Sequence, residues 1–342
     1  MTKGQRLTLA ETADAIRRKD HLIAVPHVDP DPDTLGSAVG LALIAQKLGK
    51  EARVYTPEAV PFDSRFLEGL FPIDHEWSDT LRVSDHEPPY HDLSPPTWHP
   101  VVLDCGDPRR IHPAAKLPPI WLNIDHHLDN AGFAELIWVD TSAASTAEMV
   151  ARLGFELGVE MDEAIATALY AGMLYDTRGF VIDKTNSETY RLAARLVDAG
   201  ANPARINRYL NEQLSAGALR VMGMALGHLQ EDLDGRLVWA TITQAMLAAC
   251  GARIEETDLI LSELPKIGKA EVWFLFKELP DGAIKISIRS RGKVNAHAIA
   301  RAFGGGGHRR VSGARLELPL SAAVELMLTA ARTAMQLQPA GA

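Results

Sequence analysis

The sequence predicts an α/β protein: a parallel doubly wound sheet, followed by a smaller α/β domain with a mixed sheet. Three observations lead there. Over the first two hundred residues short apolar runs alternate with helical patterns, and such alternation implies crossover connections between parallel strands. After about Gln213 the pattern changes, and AEVWFLFKELPDGAIKISIRS reads as a hairpin around Pro280-Asp281-Gly282. The length of 342 residues, 46 % hydrophobic, is enough for two domains. We expect a first domain over 1–212, a connecting helix or linker over 213–232 and a second domain over 233–342. A ligand site is expected in the cleft between the domains.

The elements follow in order. HLIAVP, ending at Pro26, is a strand, TLGSAVGLALIAQKLG the helix after it, and EARVYTP a second strand. Residues 85–100, DHEPPYHDLSPPTWHP, read as a surface loop because proline and polar residues dominate them. VVLD, PIWLNI and ELIWVD are further strands. Ser145-Thr-Ala-Glu148 has the form of a capping box, opening a helix that runs to about Leu157. DEAIATALYAGMLY, SETYRLAARLVDAG and PARINRYLNEQ continue as helices, and SAGALRVMGMALGHLQEDL reads as one long connecting helix. GRLVWATIT is then a strand and QAMLAAC a helix.

Composition narrows the function. A net charge of −9 argues against a broad basic face that coats long nucleic acid, but not against a local basic pocket for a small anion. No apolar run approaches the roughly 18 residues of a membrane span, and MTKGQRLTLAETADAIRRKD lacks the apolar centre of a signal peptide. Cys105 and Cys250 are the only cysteines, which speaks against a disulfide scaffold and a cysteine-rich zinc site and for a reducing cytoplasm.

Polar clusters stand directly after several of the apolar runs. They are His27-Val-Asp-Pro-Asp31-Pro-Asp33, Asp104 at the end of VVLD, and Asp125-His126-His127 after PIWLNI; Asp176 closes a helical stretch. Each alone has an ordinary reading. Asp31 and Asp33 can cap the next helix, Asp104 can be a plain strand-end carboxylate, and Asp-His-His can be polar surface. A carboxylate at a helix C-terminus such as Asp176 sits on the unfavourable end of the dipole, which suggests another reason for it. Taken together, strand ends deliver these groups to one edge of a sheet. Four aspartates and two histidines suit two divalent ions, Mn²⁺ first and Mg²⁺ or Co²⁺ as alternatives. Two ions roughly 3.5–4 Å apart can clamp the attacking and leaving oxygens of a phosphoryl group. His75, His86, His91 and His99 lack such a setting and are expected at the surface.

A second signal lies near the C-terminus. From Lys285 to Arg315 there are eight lysines and arginines and no acidic residue. Gly304 to Gly307, followed by His308, Arg309 and Arg310, read either as a flexible loop or as backbone N–H groups converging on an anion. Arg301 and Arg315 are expected to be ordinary solvated charges.

His27-x-x-Pro30-Asp31-x-Asp33, Asp104, Asp125-His126-His127 and Asp176 together resemble the four motifs of the DHH phosphoesterase superfamily. SIRSRGKVNAHAIARAFGGGGHRRVSGA resembles the signature of the DHH-associated domain, with Arg309-Arg310-Val311 where relatives commonly carry alanines and Arg178 where they often have a smaller residue. The resemblance implies that His27 and Asp31 hold one ion, Asp33 and His126 the other, and that Asp104 and Asp176 bridge both. It implies a catalytic His127 just outside the ligand set, Asp125 orienting the histidines from behind, and substrate contacts from Arg289, Ser290, Gly305, Gly306, Gly307, His308 and Arg309. The activity implied is hydrolysis of very short oligonucleotides, RNA or DNA, and linear dinucleotides such as pApA or pGpG to nucleoside monophosphates. The 3′-phosphate of pAp is a further implied target, and a homodimer is compatible with the pattern. A RecJ-like exonuclease on longer strands and a catalytically inactive nucleotide sensor are the competing readings.

Overall fold

The computed structural model describes residues 4–76, 97–113, 115, 117–212, 214–307 and 309–336. His86, His91 and His308 fall outside the described residues. The chain divides into two compact units, Met1–Gln213 and Leu214–Ala342.

The first unit is built on seven short strands. In chain order they are β1 (Gln5–Arg6), β2 (His21–Val25), β3 (Glu51–Tyr55), β4 (Ile73–Asp74), β5 (His99–Leu103), β6 (Leu122–Asp125) and β7 (Leu136–Val139). All pair in parallel, in the order β1-β7-β6-β5-β2-β3-β4. Six helices accompany them: α1 (Leu9–Arg17), α2 (Pro32–Lys47), α3 (Thr146–Glu156), α4 (Glu163–Asp176), α5 (Ser187–Asp198) and α6 (Pro203–Asn211). From β2 the chain moves one way to β3 and β4, then returns to place β5, β6 and β7 on the other side of β2. The carboxyl ends of β2 and β5 therefore flank the point where strand order reverses, which is where ligands bind in sheets of this type. The parallel doubly wound sheet is as expected.

Helix α2 carries little polar surface because it is buried from Pro32 to Ala45, all but Leu43. It lies against β2 and β3 and against α3 and α4. Its approach to α4 is close: a β-carbon at Gly36 would stand 2.5 Å from the carbonyl oxygen of Ala168, and one at Gly40 2.3 Å from Leu169 Cδ2.

The second unit contains α7 (Ala216–Gly227), β8 (Gln230–Asp232), β9 (Leu237–Ile242), α8 (Gln244–Cys250), α9 (Ile260–Glu263), β10 (Val272–Glu278), β11 (Ile284–Ser290), α10 (Ala296–Arg301), β12 (Gly306–Gly307), β13 (Val311–Leu316) and α11 (Leu320–Gln336). Its strands run β12-β13-β11-β10-β9-β8, with only β9 and β10 parallel, so the sheet is mixed as predicted. Alternation along β10 serves two faces. Phe274 and Phe276 enter one core with Ala323 and Met327 of α11, while Trp273 and Leu275 enter another with Val221 and Ala225 of α7.

Three local expectations need correction. The long connecting helix stops at Gly227, and Gln230–Asp232 is an edge strand. Residues 214–232 cluster with the second unit, because Val221 and Ala225 are part of its core. His99 opens β5 instead of lying in a loop, and its half-buried ring sits edge-on to Trp121. His75 is exposed, as expected. No helix among the described residues is long and apolar enough to cross a membrane.

The α2–α4 contact gives the first prediction. Gly36→Ala must push backbone from backbone and is expected to cost about 1–3 kcal/mol by overpacking. A urea unfolding curve should show a lower midpoint with an unchanged slope.

Candidate metal centre

The residues expected to bind metal converge at the reversal point of the first sheet. His27 follows β2, Asp104 follows β5, His126 and His127 follow β6, Asp31 and Asp33 stand at the start of α2, and Asp176 ends α4. Their donor atoms form three overlapping groups, each within 4.8 Å: His27, Asp31 and Asp104; Asp33, His126 and Asp176; and Asp104, His126 and His127. His27 Nε2 lies 3.5 Å from Asp104 Oδ2 and 3.9 Å from Asp31 Oδ2. His126 Nε2 lies 3.4 Å from Asp104 Oδ1 and 3.5 Å from Asp176 Oδ2. Asp104 faces both histidines, one through each carboxylate oxygen.

Each candidate ligand is held from behind. Asp31 does cap α2, its Oδ1 accepting the N–H groups of Asp33 and Thr34 at 3.1 and 3.0 Å, which leaves Oδ2 toward His27. The capping and metal readings are thus both met by one side chain. Asp33 is buried at the N-terminus of α3, accepting from the N–H groups of Thr146 at 2.8 Å and Ala147 at 2.9 Å. Thr146 also donates its hydroxyl to Asp104 Oδ1 at 2.9 Å. Asp104 is held with φ near 57°, a left-handed conformation uncommon outside glycine. The Nδ1 of His126 faces the Ala143 carbonyl at 3.3 Å, and that of His27 the Val28 carbonyl at 2.8 Å. For His126, with Nδ1–H donating there, Nε2 keeps its lone pair for the cluster.

The electrostatics show what the cluster lacks. Burial, reinforced by neighbouring aspartates, raises the pKa of Asp33 well above the carboxylate range, and loss of water raises that of Asp31. Asp176 is pushed to about 7 by burial and by the charges of Asp104 and Asp31. For Asp104 burial acts in the same direction, but the hydrogen bond from His27 and the three imidazoles outweigh it and hold the group below its usual range. Four carboxylates crowded this closely require positive charge between them. Mixed carboxylate and imidazole donors in these groups suit divalent ions, so the residues present fit such a group.

His127 belongs to a second system. Its Nδ1 lies 2.6 Å from Asp125 Oδ1 and 3.7 Å from Asp104 Oδ1. Asp125 is fully buried and accepts from Asn130 Nδ2 at 2.5 Å, and Asn130 in turn is bonded to Asn123 at 2.7 Å. Burial would lower the His127 pKa, but Asp125 and then Asp104 overcome this and push it to about 9. Asp125 therefore orients one histidine of the pair, while His126 is oriented by a backbone carbonyl.

Sequence reasoning missed several neighbours. Thr146 and Asn130 are described above. Arg110 lies in the turn after Asp104 with a guanidinium nitrogen 3.0 Å from His27 Nδ1. Lys184 reaches the His126 carbonyl at 3.4 Å. The Asp-Pro-Arg-Arg stretch right behind a strand-end aspartate was a usable signal for Arg110; nothing local marked Lys184. Ser145 caps α3 as expected, but Glu148 bonds the N–H of Ala144 at 3.2 Å instead of closing a box. Glu148 is fully buried and also accepts from Thr189 at 3.0 Å and pairs with Arg152, fixing the start of α3 that carries Thr146. Arg178 is exposed, with φ near 52°.

In the second unit Arg289 is half-buried on β11, paired with Val311. Ser290 is buried, its hydroxyl donating to the Val294 carbonyl at 2.7 Å, so it closes a turn. The glycine run is not an open nest. The N–H groups of Gly304 and Gly305 donate to Arg301 and Ala300, and Gly306 and Gly307 form edge strand β12. Arg309 is exposed and bonds the Gly292 carbonyl at 3.1 Å; Arg301 is exposed, and Arg315 pairs with Asp281 at the surface.

Comparison with known proteins agrees with this geometry. Residues 21–173 match the model of the DHH family, N-terminal domain, and residues 243–336 that of the DHHA1 domain. The bifunctional oligoribonuclease and PAP phosphatase NrnA of Thermus thermophilus is 36 % identical over 90 % of this chain and 87 % of its own length. The Bacillus subtilis protein of that name is 28 % identical over 87 % and 90 %. A solved structure of an exopolyphosphatase-related protein from Bacteroides fragilis superposes with a TM-score of 0.84 at 25 % identity, covering 96 % of each chain.

The cluster makes a prediction independent of any substrate. Asp104→Ala should lose at least half of the Mn²⁺ retained after gel filtration, measured by mass spectrometry. A β-carbon at Gly172 would stand 2.8 Å from Asp33 Oδ1, so Gly172→Ala should weaken Mn²⁺ binding too. Unchanged metal content in Asp104→Ala would place the ions elsewhere.

Proposed function

The chain belongs to the DHH family, and from that premise we propose that its metal centre hydrolyses very short oligonucleotides to nucleoside monophosphates and removes the 3′-phosphate of pAp. The protein is a phosphoesterase, a hydrolase. The observation that carries the reading is the convergence of four aspartates and two histidines from four separate chain segments at the sheet's reversal point. The relatives named for oligoribonuclease and PAP phosphatase activity support the choice of substrate. A nucleotide sensor that had lost catalysis would have no need of the complete donor set.

In this reading His27 and Asp31 would hold one divalent ion and Asp33 and His126 the other, with Asp104 and Asp176 as further carboxylate donors and Mn²⁺ the preferred metal. Bound there, the ions would supply the Lewis acidity that lowers the pKa of water and offsets charge on the phosphoryl oxygens. The chain's own side chains do the rest. Asp125 keeps His127 protonated and fixes its ring through Nδ1, so the Nε2–H serves the scissile phosphate and the leaving oxygen. Thr146 steadies Asp104, and the N-terminus of α3 steadies Asp33. In the second unit Arg289, with the glycine run, His308 and Arg309, is the proposed holder of the nucleotide; Ser290 supports the turn beside it. The proposed setting is the cytoplasm, where RNA decay generates such fragments and where Cys105 and Cys250 stay as thiols.

Three experiments test this. Incubated with Mn²⁺ and pAp, pApA, pGpG, pyrophosphate or RNAs of increasing length, the protein should show its highest kcat/KM on the shortest oligonucleotides and pAp, and chelator should abolish turnover reversibly. His127→Ala should lower kcat by about 10²-fold or more without loss of metal; loss of an ion would make it a ligand. Arg289→Ala removes charge-assisted hydrogen bonds that contribute about 1.5–3 kcal/mol to binding. Dinucleotides have few other contacts, so they should lose about ten- to a hundredfold in kcat/KM by that conversion, and longer RNA less. An equal loss at all lengths would deny the second unit a role in length selection.

A further inference from the structure

The metal centre carries a cation that the ligand set does not use. Lys184 stands in the turn after Asp176, with its Nζ 3.4 Å from the carbonyl oxygen of His126. That long bond is its only polar contact among the described residues, and none of their carboxylates pairs with it. An ammonium has three N–H donors, so most of its hydrogen-bonding capacity is unspent although the residue is half-buried. The turn that presents it is well tied. Phe180 N–H donates to Thr177 Oγ1 at 2.9 Å, Val181 N–H to the Thr177 carbonyl at 2.9 Å, and the Tyr190 hydroxyl to the Phe180 carbonyl at 2.9 Å. The charge is felt inside the site, where it favours ionised Asp176 and opposes protonation of His126.

Charge balance indicates a use for it. Four aspartates offset two divalent ions, His27 and His126 are neutral as ligands, and His127 with Asp125 forms a pair of no net charge. Two cations stand beside this set: Arg110 beside His27 and Lys184 beside His126. An internal phosphodiester brings one negative charge, whereas a terminal phosphate brings roughly −1.5 to −2 near neutral pH. We propose that Lys184 binds the substrate phosphate directly and biases the centre toward terminal phosphomonoesters, such as those of nucleoside 3′,5′-bisphosphates, relative to phosphodiesters. The inference rests on the phosphoesterase reading above and assigns Lys184 the choice between its two substrate types.

The test compares wild type, Lys184→Gln and Lys184→Arg as full-length, Mn²⁺-loaded protein. Lys184→Gln should lower kcat/KM on pAp about tenfold and on pApA much less, since the lost attraction scales with ligand charge; Lys184→Arg should restore most of it. Calorimetric titration with inorganic phosphate should show a weaker Kd in Lys184→Gln, also by about tenfold, with the same metal content. Equal losses on both substrates, or an unchanged phosphate affinity, would overturn the proposal and leave Lys184 as a tether for the His126 carbonyl. If wild type cleaves neither substrate, the function proposed above fails, while the phosphate titration still decides whether Lys184 binds the anion.

Discussion

Mutual repulsion among four carboxylates, buried or half-buried at the end of one sheet, is the constraint on which the rest of this protein depends. Left alone it would force protonation, and Asp33 and Asp176 already show that pressure. The fold answers with several partial remedies. The positive end of α3 meets Asp33, three imidazoles surround Asp104, and a guanidinium and an ammonium stand nearby. These reduce the repulsion without removing it, which is the condition of a site shaped to receive cations and not to do without them.

The same constraint explains why the site lies where it does. A doubly wound sheet has one place where neighbouring strand ends diverge and leave room for side chains from both directions, here between β2 and β5. Every candidate ligand of the first unit stands at, or just beyond, the end of an element. The flanking helices arrive with their ends, not their sides, so α2 and α3 contribute N-termini and α4 a C-terminal carboxylate.

How much of this was legible in the sequence follows from distance along the chain. Asp104 and the Asp125-His126-His127 run could be placed at strand ends because the signal is local: an apolar run, then a polar residue. The parallel sheet was legible for the same reason. The bond from Thr146 to Asp104 and those from α3 to Asp33 join residues far apart in sequence, and no local pattern announces them. In the second unit local patterns misled. The run before β8 kept helical periodicity past the end of α7, but Gln230–Asp232 found a strand partner in β9. The glycines read either as a flexible loop or as an anion loop, and the local pattern did not announce that Gly306 and Gly307 pair with β13. Tertiary pairing overrode propensity in both cases.

The glycines between α2 and α4 have a different consequence. Gly36 lets the backbone of one helix rest on the backbone of the other, and Gly172 brings α4 close to the backbone of Asp33. Asp33 rides on the first turn of α2 and Asp176 on the last residue of α4. Their separation is therefore gauged by main chain against main chain. Ordinary drift in core side chains, swapping leucine for isoleucine or valine for alanine, has little leverage on such a gauge. A lineage that came to favour a larger or smaller ion would have to change the donors themselves or break the helix contact. Innovation in this protein is thereby steered toward the periphery of the site, where charge and shape can vary while the spacing stays fixed.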